Sequence, residues 1–253
     1  MTKLTMRWGT ARPVLDQVDL TLRQGERLVV VGPSGSGKST ILRLLAGLLL
    51  PSSGQLRING ETQSYLRLDQ IHPPDVRLVF QNPALLASLN VRENVGFLLY
   101  RFSRLSDREI RQRVSKALEA VGLFGIEDQF PGELSGGMQK RVSFARALID
   151  DPSLDDGHSP LLLFDEPTAG LDPVACTRVE ELIVRSTEIA GGSSLVVSHV
   201  MSTIEHCAQR VMLLYDGSFR WGGTVDEFRT TDNDYVVQFR SGSLRGPMQP
   251  TEN

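Results

Sequence analysis

Residues 32–39 read Gly-Pro-Ser-Gly-Ser-Gly-Lys-Ser, three glycines closing on one lysine and one hydroxyl. Glycines at these spacings let a backbone turn several N–H groups inward, and a following helix adds the positive end of its dipole. Such a loop cradles phosphate. The run fits the Walker A pattern, in which Lys38 reaches the β and γ phosphates and the Ser39 hydroxyl binds Mg²⁺. A chance match in a chain of ordinary composition is on the order of one in a hundred, so a merely flexible glycine loop is the weaker reading. We assign Gly32, Pro33, Ser34, Gly35, Ser36, Gly37, Lys38, Ser39 and Thr40 to the nucleotide.

A second constellation lies at LLLFDE, residues 161–166. An apolar strand delivers Asp165 to the metal, and Glu166 beside it is placed to polarise an attacking water. Alone, two acids at a strand end read as a helix cap; beside the phosphate loop the catalytic reading prevails. Gln81, at the end of VRLVF, offers an amide oxygen to Mg²⁺ or to that water. His199 follows SLVVS at the sheet edge where ligands of such folds bind, and its imidazole suits the γ phosphate and the water. His72, His158 and His206 are read as surface or core residues. Trp8 supplies a ring for stacking on adenine, or else a packing anchor.

These residues need elements to position them. RLVVVG (27–32), VRLVF (76–80), LLLF (161–164) and SLVVS (194–198) are short continuous apolar runs, the mark of buried parallel strands. VLDQVDLTL (14–22) alternates as an antiparallel strand does, QLRINGE (55–61) enters an Asn-Gly turn, and VMLLYDGSF (211–219) suggests a closing hairpin. Helices follow the phosphate loop, start at Ser106 with Glu109 as a capping box, and run from Asp172-Pro173 to Gly191-Gly192. Strands alternating with helices imply a doubly wound α/β core, interrupted by a mostly helical block over 85–130. An acidic, turn-rich loop, DDPSLDDGHSP, occupies 150–160. From about 230 the pattern fades into a tail expected to pack locally around Tyr235 to Phe239 and to end polar and mobile.

Bulk properties narrow the class. A net charge of −3 gives no global reason to expect nucleic acid as a partner, and two cysteines in 253 residues fit a reducing compartment without a metal cluster. The apolar run ILRLLAGLLL (41–50) is broken by Arg43 and Gly47, short of the roughly eighteen residues of a membrane span. MTKLTMRWGT lacks the apolar core of a secretory signal, so the chain is expected to stay in the cytosol.

ELSGGMQKR, residues 133–141, adds a second glycine-rich helix start, with Ser135, Gly136 and Gly137 ahead of an apolar face of Met138, Val142, Ala145 and Leu148. A helix start is an anion site, yet the phosphate already held by Walker A leaves it no role in the same chain. In a head-to-tail dimer each copy would offer this turn to the γ phosphate bound by the other.

With these motifs together, residues 5–228 resemble an ATP-binding cassette ATPase, the nucleotide-binding subunit of ABC transporters. LSGGM (134–138) is similar to the family signature LSGGQ apart from Met138, while Gln81, AGLD (169–172, with Asp172) and His199 match its Q-loop, D-loop and switch histidine. The resemblance implies a P-loop NTPase core of RecA-like type with an antiparallel β subdomain and an inserted helical signature subdomain. It assigns 1–229 to the ATP-binding domain, about 82–150 to the helical subdomain and 230–253 to a C-terminal tail. It also implies ATP and Mg²⁺, a second copy of the chain, and integral permease subunits holding it at the cytoplasmic face of the inner membrane. VFQNPALLASLNVRENVGFLLY, DEPTAGLDP and DNDYVVQFRSG are similar to ATPases of the Mla and TGD type, which implies phospholipid transport with an MCE-domain lipid-binding protein. Cassettes of amino-acid and other small-solute importers, and soluble iron–sulfur assembly ATPases, remain alternatives at this stage.

Overall fold

In the computed structural model, residues 1–70, 73–149 and 159–249 are described. His72, His158 and nearly all of the acidic loop therefore lie outside the described residues. The amino-terminal third holds β1 (Thr2–Met6), β2 (Leu15–Val18), β3 (Arg27–Val31), α1 (Lys38–Leu45), β4 (Ser53–Gln55), β5 (Arg57–Ile58), β6 (Glu61–Thr62) and β7 (Val76–Val79). The helical block contains α2 (Val91–Val95), α3 (Phe97–Phe102), α4 (Asp107–Ala120) and α5 (Gly136–Leu148). Next come β8 (Leu161–Asp165), α6 (Pro173–Ile189), β9 (Ser193–Val197), α7 (Met201–Cys207), β10 (Arg210–Tyr215), β11 (Ser218–Thr224), α8 (Val225–Thr230) and α9 (Asp234–Ser241).

Six strands form the main sheet in the order β11-β10-β3-β9-β8-β7. All neighbours pair in parallel except β11, which closes the edge as an antiparallel hairpin with β10. The continuous apolar runs make sense here because both faces of the sheet are covered. Val29, Val31, Leu162, Phe164, Val196, Val211 and Leu213 face the helices α2, α4, α5 and α6. Leu28, Val30, Leu163, Leu195, Val197 and Leu214 face α1 and the antiparallel sheet β2-β1-β4. The period-2 alternation is thus present, hidden in sequence because both faces are dry. The Asn59-Gly60 pair turns β5 into β6 with both residues at positive φ, 52° and 82°, as a tight hairpin requires.

The helical block is not separately cored. Val114 and Leu118 of α4, Val142 and Phe144 of α5 and Phe164 of β8 belong to one buried cluster, with the Phe144 and Phe164 rings stacked 5.3 Å apart. The capping box of Ser106 and Glu109 starts α4, and Asp172 caps α6.

At the carboxyl end the packing expected around Tyr235 to Phe239 is present, while the residues that follow fold back instead of fading out. Tyr235 lies 5.7 Å from Tyr215, ring to ring, and Phe239 packs on Phe228 at 6.5 Å. Beyond Gly242 the chain folds back: Met248 donates its N–H to Gln238 Oε1 at 2.7 Å and accepts from Nε2 at 2.8 Å. Gln249 N–H reaches the Tyr215 hydroxyl at 2.9 Å. A polar sequence hides this clamp because Gln238 is an interior hydrogen-bonding residue, only 6% exposed. No described helix is long and apolar enough to cross a membrane.

Candidate active site

The phosphate loop links β3 to α1. Its glycines have separate reasons: a Cβ on Gly32 would strike the Leu214 carbonyl oxygen, one on Gly37 would lie 2.9 Å from the Val14 oxygen, and Gly35 stands in open space at φ 77°. No side chain caps the start of α1, so its leading amides face the loop. The Ser36 hydroxyl is buried without a hydrogen-bond partner among the described residues. Lys38, 7% exposed, curls over the loop and donates to the Gly32 and Pro33 carbonyls at 2.8 and 2.9 Å. Burial pulls its ammonium pKa down, against the opposing pull of Glu166 and Asp165. Uncapped amides, an unsatisfied hydroxyl and a desolvated lysine suit a polyanion, and phosphate meets all three.

Across β9, the end of β8 faces this loop. Ser39 Oγ donates to Asp165 Oδ1 at 3.0 Å, so a hydroxyl and a carboxylate, both hard oxygen donors, meet at one point. That donor set fits Mg²⁺. Burial raises the Asp165 pKa, and the neighbouring Glu166 adds to the rise; the Ser39 hydrogen bond, Arg43 and Lys38 oppose it. A cation placed there would relieve this cost. Sequence reasoning passed over Arg43, whose place one turn into a helix gave no hint that its charge reaches Asp165.

Glu166 adopts φ 44°, the left-handed region that a non-glycine residue rarely occupies. Its N–H donates to the Val197 carbonyl at 3.0 Å, which fixes the turn. The side chain is 13% exposed; Oε1 lies 3.9 Å from Lys38 Nζ and Oε2 lies 2.9 Å from His199 Nδ1. The imidazole sits close but off the hydrogen-bonding line, and Oε2 has no hydrogen-bond partner among the described residues. A general base needs such a free acceptor.

Strand register gathers the rest. Val79 pairs with Phe164, Asp165 with Val197, and Val30 with Val197, so the carboxyl ends of β7, β8, β9 and β3 lie side by side. Gln81 stands exposed two residues past β7, and His199, also exposed, two residues past β9. Trp8 is 51% exposed in the β1–β2 connection, whose last residue, Val14, closes on Gly37.

Ser135 caps α5 by accepting the Met138 N–H at 3.3 Å. Ser135, Gly136 and Gly137 are all exposed, and a Cβ on either glycine would meet nothing within 4 Å. Neither glycine has positive φ. Nothing among the described residues therefore requires glycine at 136 or 137. Met138 is half-buried against the main cluster, so its side chain leaves the cap free. The Asp172 carboxylate accepts from the Val174 and Ala175 N–H groups at 3.0 and 3.1 Å, fixing the start of α6.

A glycine loop between strand and helix, facing paired acids at the end of a neighbouring strand in a parallel sheet, defines a P-loop ATPase. The family model described as ABC transporter matches residues 15–169, well over half of the chain. The chain belongs to the ABC transporter family and is its ATP-binding, ATP-hydrolysing subunit. It is 47% identical over 247 residues to the protein trigalactosyldiacylglycerol 3, chloroplastic, of Arabidopsis thaliana, covering 93% of this chain and 71% of that one. It is 34% identical over 250 residues to the intermembrane phospholipid transport system ATP-binding protein MlaF of Haemophilus influenzae, covering 97% and 91%. Its fold matches the ATP-binding cassette MJ0796, solved as a dimer in a post-hydrolysis state bound to ADP and Pi, at TM-score 0.76 and 30% identity over 88% of this chain and 97% of that one.

Proposed function

We propose that this chain powers phospholipid movement by a membrane transporter, with two copies docked on permease subunits at the cytoplasmic face of the inner membrane and an MCE-domain protein as lipid-binding partner. The observation that carries the cargo assignment is kinship along nearly the whole chain with two proteins whose names refer to lipids. A cleft of about 340 Å³ between α2, α3 and α4, lined by Leu89, Phe97 and Tyr100 and rimmed by Arg92, Arg101 and Asp107, suits the end of a permease helix.

In this reading the two copies face head to tail, and the open space over Gly136 and Gly137 receives the γ phosphate held by the other copy. Lys38 and the loop amides bind the β and γ phosphates, and Trp8 stacks on adenine. Ser39, Asp165 and Gln81 would hold Mg²⁺, which when bound would neutralise charge on the phosphates. Glu166 takes the proton of the attacking water through its free Oε2, and His199 orients that water and the γ phosphate. Asp172 lies at the contact between copies. Binding closes the pair, and hydrolysis with release reopens it; the work available is the difference in ATP affinity between the two states.

Fluorescent phospholipid movement in vesicles carrying the complete complex tests this. Wild type should move lipid with ATP. Glu166→Gln should bind ATP as well as wild type while turnover falls about a hundredfold or more. A complex that consumes ATP in response to an amino acid or other small solute, and not to lipid, would overturn the cargo assignment.

A further inference from the structure

Glu180, in the middle of α6, is a carboxylate just 1% exposed and belongs to none of the motifs above. Both its oxygens face α7. Oε1 accepts from Ser202 Oγ at 2.7 Å and from Thr203 Oγ1 at 2.9 Å, and Oε2 faces His206 Nδ1 at 2.8 Å. An ionised carboxylate only accepts, so it fixes the direction of every bond around it. His206 must carry its proton on Nδ1. Thr203 gives its proton to Glu180, so the Thr168 hydroxyl, 2.9 Å away, donates to Thr203. Thr168 lies two residues after Glu166 in the turn that returns the Ala169 N–H to the Glu166 carbonyl.

One side chain therefore ties three pieces together: the turn that carries Glu166, the helix that starts at Asp172, and the helix that starts two residues after His199. The His199 ring is 58% exposed, and its one close polar neighbour among the described residues is Glu166. Its own surroundings do little to hold it, so its place depends on the first turn of α7, where Ser202 and Thr203 sit. An apolar residue would pack two amphipathic helices together at lower desolvation cost. Placing a charge with three donors from one helix sets the register of α7 against α6 instead.

We propose that Glu180 is a positioning residue for ATP hydrolysis, clamping α7 so that His199 stays over the Glu166 carboxylate. The proposal rests on the reading of His199 as the group that orients water and γ phosphate.

The test compares Glu180→Met, Glu180→Gln, His199→Ala and the double variant Glu180→Met/His199→Ala in the complete transporter complex, reading kcat, KM for ATP and thermal stability. Glu180→Met should lower kcat about tenfold or more, since small misplacements of catalytic groups are costly. KM should stay within about twofold, because the phosphate loop is untouched. Glu180→Gln should recover most of the rate: its amide oxygen still accepts from Ser202 and Thr203, and His206 can present the other tautomer to its amide nitrogen. The double variant should be no slower than His199→Ala, because the lesion acts through His199. Should Glu180→Met fail to fold, adding Ser202→Ala removes the stranded hydroxyl, Thr203 keeping Thr168 as its partner, and permits the same cycle. Wild-type kcat in the folded variant beside a slow His199→Ala, or losses that multiply in the double variant, would overturn the proposal. A His199→Ala enzyme with full turnover would instead overturn the reading on which it rests.

Discussion

Asp165 and Glu166 are adjacent carboxylates held in different ways, and the difference bears on what each can do. Glu166 sits at a positive φ worth on the order of 1 kcal/mol or more of strain, held by its N–H bond to Val197, and its Oε2 is buried beside His199 without a hydrogen bond. Asp165 is desolvated against Ser39 with its pKa raised. A carboxylate whose folded pKa lies above its unfolded value destabilises the fold wherever it is ionised, and that penalty vanishes as pH falls below both values. Asp165→Asn keeps an acceptor for Ser39 and removes the charge. It should therefore melt higher than wild type at neutral pH, with the gap closing as the solution is acidified through the raised pKa, while Mg²⁺-dependent turnover is lost. Thermal melts across pH check this; an Asn variant less stable than wild type at neutral pH would contradict it. Residue types made Lys38, Ser39, Asp165 and Glu166 legible in sequence. The strain at Glu166 and the Arg43 charge were not, since neither a dihedral nor a through-space field leaves a mark in spacing.

Element boundaries followed from local chemistry wherever a cap or a glycine set them. Ser106 with Glu109, Asp172-Pro173 and Ser135 each start a helix by satisfying amides that would otherwise be stranded. The loop before α2 obeys a different logic. Asn94, 1% exposed, accepts the Leu86 N–H at 2.8 Å and donates Nδ2 to the carbonyls of Leu86, Leu89 and Asn90 at 3.0, 2.9 and 3.0 Å. It closes residues 86–90 into one piece, and Leu89 and Asn90 line the cleft proposed for the permease. Nothing in the sequence singles out Asn94, because its partners are carbonyls that no side-chain pattern announces. Asn94→Leu fills the space but strands these groups and should cost about 2–4 kcal/mol. ATP affinity should be unchanged while recovery of the permease with the subunit falls; urea unfolding, nucleotide titration and co-purification measure the three. The tail was obscure for the same reason: the Gln238–Met248 clamp joins groups ten residues apart through main-chain atoms.

At the scale of the molecule, the helix that opens with the signature turn and the strand that ends at Asp165 share one buried cluster. Phe144 of α5 stacks on Phe164 of β8, the strand that presents Asp165, so motion of either segment is felt by the other through a dry contact. Two exposed glycines at the start of α5 have no cause among the described residues, and glycine in a helix is up to about 1 kcal/mol less favourable than alanine. In the proposed pairing, a second copy approaching closely with its bound phosphate would supply that cause. Gly137→Val separates the two demands. Within one copy a Cβ at 137 meets nothing within 4 Å among the described residues, so the melting transition of the isolated subunit should stay within about 0.5 kcal/mol of wild type or rise slightly. Between copies it would fill the space reserved for phosphate. In a Glu166→Gln background, where ATP should hold two 28.0 kDa chains together, sedimentation should show the pair without Gly137→Val and single chains with it. ATP binding to each single chain should persist, because the phosphate loop is intact. A Gly137→Val chain that still pairs with ATP and, with Glu166 restored, turns it over at the normal rate would show that the signature turn does not meet the nucleotide across the interface.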